Sequence, residues 1–69
     1  MAAGHVIFRV YEITFDDGYV GRVAMSALRE MSFRQEITEG QWNGIVDMTL
    51  VAETEDRNEA RALAGGWEI

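Results

Sequence analysis

The feature that most constrains this chain is a change of apolar period at Thr54. From Val46 to Glu53, the residues Val46, Met48, Leu50 and Ala52 alternate with Asp47, Thr49 and Glu53, the two-residue period of a half-buried strand. Beyond Thr54 the spacing turns helical, with Ala60, Leu63 and Ala64 on one side. The predicted helix, Glu55 to Ala64, is marked at both ends. Thr54 or Asp56 can cap it, and Glu55 and Asp56 face the positive end of its dipole. Arg61 lies toward the negative end, and Gly65-Gly66 supplies a left-handed stop. The like-charged pairs Glu55/Glu59 and Arg57/Arg61 oppose it mildly, so packing through Ala60, Leu63 and Ala64 must hold it. Trp67 and Ile69 follow the stop and predict a short final strand.

Upstream, Met1 to Gly4 are small residues expected to fray. His5 to Phe15 is almost continuously β-branched or aromatic. Ile7, Tyr11, Ile13 and Phe15 share one face with Arg9, and Val6, Phe8 and Val10 share the other with Glu12. A strand apolar on both faces belongs at the centre of a sheet. Asp16-Asp17-Gly18 then reads as a hairpin turn, with Tyr19 to Met25 returning antiparallel and Gly21 marking a bulge or a close backbone approach.

Ser26 fits a helix N-cap. The good helix formers after it predict a helix of one or two turns, with Leu28 and Met31 under the sheet. Capping-box matches recur at Ser32/Gln35 and Thr38/Gln41. Two readings compete for the middle. In one, Phe33 to Thr38 is a strand, Glu39-Gly40 a turn and Gln41 onward the return strand. In the other, Thr38 to Leu50 is a helix, against which Gly40, Gly44, Asn43 and the β-branched Ile45, Val46, Thr49 and Val51 argue; each interior glycine costs roughly 1 kcal/mol relative to alanine. The strand reading is preferred. The fold expected is therefore α+β, a small antiparallel sheet of about three to four strands. One main C-terminal helix packs on one face, and a short helix follows the first hairpin.

At 69 residues the chain is one domain, 1–69, with a core that barely offsets conformational entropy. It has no cysteine, so neither a disulfide nor a thiolate metal site supports it. No apolar run approaches the roughly 20 residues of a membrane span, and no basic-then-apolar start marks a secretory signal. The expected location is the cytoplasm. Twelve acids face six bases, all arginine, for a net charge of −6. Lysine and proline are absent, a composition in keeping with a high-GC genome. Excess negative charge disfavours direct binding to nucleic acid and favours solubility or docking on a basic surface.

No catalytic motif is present. His5 has no serine, cysteine or metal-ligand spacing around it and reads as an exposed structural residue. Asp16 and Asp17 lack the alternating oxygen ligands of a calcium loop. Gly18-Tyr19-Val20-Gly21 lacks the lysine and following helix of a phosphate loop. The chain is read as non-enzymatic, with no cofactor or metal. Its acids are more suggestive. Glu53, Glu55, Asp56 and Glu59 gather where the strand meets the helix, Glu30, Glu36 and Glu39 flank the middle, and Asp16 and Asp17 sit at a loop tip. Together they are candidates to present spaced negative charge, as a nucleic-acid backbone does, to a basic protein. Tyr19, beside the turn, and Trp42 are candidate aromatic anchors, with the core reading preferred for Trp42.

The passage Leu50 to Ala64 resembles a pattern common to many small α+β domains, a strand ending in an acidic turn with an alanine-rich helix packed back on the sheet. In size, acidity, lack of cysteine and lack of an active site, the whole chain is similar to the small anti-CRISPR proteins that phages encode. The resemblance is one of profile and carries no residue over. It implies an inhibitor, in the cytoplasm of an infected bacterium, that occupies a basic surface of a CRISPR effector complex and blocks target DNA binding. A second expectation, from a different class, is a structural or regulatory domain that dimerises through its sheet edge. The oligomeric expectation is a monomer or a weak homodimer.

Overall fold

The computed structural model describes residues 6–69; the expectations for Met1 to Gly4 and for His5 fall outside them. Strands β1 (Phe8–Phe15), β2 (Val20–Ser26) and β3 (Ile45–Thr54) form one antiparallel sheet in the order β2-β1-β3. Helix α1 (Ala27–Thr38) joins β2 to β3, and α2 (Arg57–Leu63) follows β3. The architecture is α+β, with β1 central as its two apolar faces predict. The two helices pack on opposite faces. Phe33 of α1 closes a core with Tyr11, Ile13, Val23 and Met25. On the other face Ala60 and Ala64 lie on Val10 and Ala24, where small side chains let α2 approach the sheet closely.

The hairpin forms as the sequence predicts, and Ser26 and Asp56 cap the two helices, but α2 begins at Arg57 and not at Glu55. The Ser26 hydroxyl accepts the Arg29 N–H at 3.1 Å, and the Asp56 carboxylate accepts those of Asn58 and Glu59. Gly21 marks a close approach and not a bulge. The β1–β2 register is unbroken, and a Cβ at Gly21 would sit 3.0 Å from the Tyr19 ring. Gly65 and Gly66, at φ +67° and +92°, stop α2.

The middle of the chain departs from both readings. Phe33 to Thr38 is not a strand but the second half of α1, which is the longer helix at 12 residues against 7 for α2, and no helix runs from Thr38 to Leu50. Its buried stripe is Glu30, Phe33 and the half-buried Ile37, while Leu28 and Met31 are 79% and 70% exposed. A carboxylate occupies a core-facing position and two of the four large hydrophobes, Leu28 and Met31, face out, so the apolar period that should reveal the helix is absent. Glu39-Gly40 does turn, but β3 starts at Ile45, not Gln41.

In β3 the expected alternation is broken twice. Register shifts fall opposite Val10/Tyr11 and Thr14/Phe15, leaving Val51 and Val46 as extra residues. Met48 therefore packs toward the α1 core while Ala52 packs toward α2, and Val46 and Leu50 are 62% and 49% exposed. Leu63 is also largely exposed. These three were expected in the core; Met48, Ala52, Ala60 and Ala64 hold the passage instead. The predicted final strand is a single parallel bridge. Ala24 donates its N–H to the Trp67 carbonyl and accepts from Ile69 N–H, at 2.9 and 3.0 Å.

Candidate protein-binding surface

All six arginines are spent inside the molecule. The centre of this arrangement is Glu30, buried beneath α1. Its carboxylate accepts the Tyr11 hydroxyl at 2.6 Å, Arg9 at 2.6 Å and Arg34 at 2.7 Å. Burial pushes its pKa up, but the hydrogen bonds from Tyr11, Arg9 and Arg34 outweigh that and hold it at about 2. The same burial, with Glu30 alongside, raises the Tyr11 pKa and keeps its hydroxyl protonated. Arg9 also reaches Glu53 at 2.8 Å, so one guanidinium ties α1 to β3. Arg29 forks onto Glu36, which also accepts the Trp42 indole N–H at 2.8 Å. Arg57 and Arg61 both face Glu68, and Arg22 lies 3.7 Å from Glu12.

Several acids expected to face a partner are therefore committed elsewhere. Glu30 is a core carboxylate, and Glu36 and Glu53 neutralise arginines. Trp42 is half-buried edge-on to Phe33, with ring centroids 5.2 Å apart, so its core reading holds. Tyr19 is exposed beside the turn.

The other acids divide between the two ends of the sheet. At the hairpin end, Asp16 and Asp17 occupy the turn, Asp16 N–H donates to the Gly44 carbonyl at 2.7 Å, and Glu39 caps the C-terminus of α1 just before that loop. Asp47 joins them, opposite Thr14 in the register. At the far end, roughly 25 Å away along β1, Glu55, Asp56 and Glu59 surround the start of α2, where β3 ends opposite Phe8. Asp16, Asp17, Glu39, Asp47, Asp56 and Glu59 have no arginine partner among the described residues.

The outer edge of β3 pairs with no strand among the described residues. It exposes Val46, Leu50 and Val51. Beside it runs an open groove of about 470 Å³ between α1 and β3, with Ile37, Ile45 and Met48 in its wall and Arg34 and Asp47 at its rim. The sequence did not point to this surface, because its periodicity places Val46 and Leu50 in the core and the helix after Ser26 reads as only one or two turns. A strand carrying Asp47 and no base was the available signal.

Comparison of the chain with protein-family models, curated proteins and solved structures finds no match. Among the described residues no three acidic or histidine side chains gather as metal ligands, and no helix is long and apolar enough to cross a membrane.

Proposed function

We propose that this chain is a non-enzymatic acidic binding protein that docks on a positively charged protein surface. The observation that carries the reading is the internal use of every arginine while six further acids stand at the surface without one. The charge offered to a partner is thus negative at both ends of the sheet. A binding role fits the ionisation pattern as well. Glu30 is held ionised by Tyr11, Arg9 and Arg34, and Glu36 and Glu68 by arginine, so these three carboxylates are committed to internal pairs. In its narrowest form, the partner is a basic, DNA-binding surface of a CRISPR effector complex in the cytoplasm of a phage-infected bacterium, the reading to which the profile resemblance leads. The chain binds neither nucleic acid nor membrane directly.

Binding to basic nucleic-acid-binding proteins tests this. Affinity should fall at least tenfold between about 50 mM and about 500 mM salt, where the screening length shrinks from ~14 to ~4 Å. Reversing Asp16, Asp17 and Glu39 to lysine in one variant, and Glu55 and Glu59 in a second, identifies the end that docks. Asp56→Asn belongs in the second variant, because asparagine keeps the helix cap while removing the charge. Salt-insensitive binding would sink the electrostatic reading. The sheet-edge dimer stands as a second reading, favoured by Val46, Leu50 and Val51 exposed on an unpaired edge; sedimentation separates the two.

A further inference from the structure

The β3 edge has a definite polarity of backbone and side chain. Phe15 N–H donates to Tyr19 O at 2.8 Å, so the odd-numbered residues of β1 turn their backbone toward β2, and Glu12 and Thr14 turn theirs toward β3. Their partners Thr49 and Asp47 accordingly face β1, and Met48 and Leu50 present their N–H and C=O groups to the open edge. The Met48 N–H shows this directly, because at 2.9 Å it is taken by the Asp47 carboxylate and not by a strand.

A strand laid along this edge would meet two different faces. Side chains opposite Met48 and Leu50 would lie on the α1 side, in the groove walled by Ile37, Ile45 and Met48. Those between them would lie on the far side, the side of Thr49, and would pass the Asp47 carboxylate, which is turned onto the Met48 N–H at the edge itself and reaches the rim of the groove. The first face asks for apolar residues and the second for positive charge. We infer that the β3 edge and its groove take an extended segment of a partner protein in which apolar residues alternate with lysine or arginine, joined by strand addition. The inference rests on the acidic-binding reading and gives that partner a chemistry and a geometry. A second copy of this chain fits less well. β3 holds no base, so pairing it with itself brings no positive charge against Asp47 in any register, while Glu53 already has Arg9.

The test uses the intact chain and short synthetic peptides. One alternates lysine and valine, one has the same composition in two blocks, and one is alternating but N-methylated on the amides that would pair. The alternating peptide should bind roughly tenfold more tightly than the other two, since they keep the charge but lose the side-chain register or the ladder. It should also slow amide exchange at Leu50. Thr49→Lys, an exposed change next to Glu12, should weaken it by a similar factor and favour a glutamate–valine counterpart. Equal binding of all three lysine peptides, with Leu50 exchange unchanged, overturns strand addition and leaves the acidic-binding reading standing. Failure of every lysine peptide to bind overturns both. Protection of Leu50 that grows with protein concentration alone, together with a dimer in sedimentation, makes the second copy the occupant and also overturns the proposal.

Discussion

The two edges of this sheet are built in opposite ways. At the β2 edge, Trp67 to Ile69 crosses Ala24 and occupies both of its backbone groups. Arg57 and Arg61 hold Glu68 in place, and Ile69 packs into the core beneath α1. At the β3 edge nothing among the described residues pairs with the backbone, and apolar side chains stand exposed along it. Unpaired edges invite pairing with other chains, and natural proteins blunt them by covering, charging or bulging them. Here one edge is covered at its centre, at Ala24. The other is only blunted, by two bulges and by Asp47 on the Met48 N–H. The proposed strand addition on β3 rests on this difference.

The strongest way to break this comparison is to uncover β2. Removing Trp67 to Ile69 takes away two backbone hydrogen bonds, worth about 1 kcal/mol each, and the burial of Ile69, worth about 2 kcal/mol. A loss of about 4 kcal/mol is a large part of a small domain's total. Urea unfolding should show the fall in midpoint, and sedimentation should show self-association through the opened edge. An unchanged midpoint would mean that the tail closes nothing and that the edges are alike.

How much of this was legible in the sequence depends on what each element advertises. β1, the hairpin and both ends of α2 follow from local chemistry, namely β-branched runs, Asp-Gly and the caps. The second half of α1 does not, because Glu30 sits in its buried stripe and Leu28 and Met31 face solvent. Glu30 is tolerated there only through Tyr11, Arg9 and Arg34, two of which lie in another element about twenty residues away. No window on α1 reveals that. The β3 bulges likewise depend on pairing with β1. The candidate site was therefore half visible. The acids at the turn and at the α2 start were identified, whereas the open edge and its groove needed α1 and β3 in place.

The Glu30 hub offers a second, smaller test. Its folded-state pKa of about 2 lies below the ordinary carboxylate value of 4.5. The stabilisation is therefore fully present above pH 4.5 and is lost as pH falls toward 2, in total roughly 3 kcal/mol. Because Arg9 links Glu30 to Glu53 on β3, acid should loosen the open edge before the covered one. Hydrogen exchange followed down the pH scale should show β3 amides losing protection ahead of β2 amides, and Glu30→Gln should flatten the acid limb of the stability curve. Simultaneous loss in both strands would show that the hub secures the whole sheet evenly.

The smallest effect on folding belongs to Asp47. Its side chain is exposed, so Asp47→Ala should change stability by no more than about 0.5 kcal/mol. Its effect on the edge is another matter. The carboxylate takes the Met48 N–H at 2.9 Å, and without it an outward-facing donor stands open beside Leu50. The substitution also removes the acid that opposes pairing of β3 with a second copy. Both changes act in the same direction, toward strand-to-strand association, while the β2 edge stays closed by its tail. Sedimentation of the variant over a range of concentrations should show dimers where the parent is monomeric, with slowed exchange at Leu50 and none gained on β2. Salt should act mainly on the parent, promoting its association by screening Asp47, and should change the variant much less. If the variant stays monomeric with Met48 N–H exposed, the bulges at Val46 and Val51 suffice to guard the edge and Asp47 serves the partner alone.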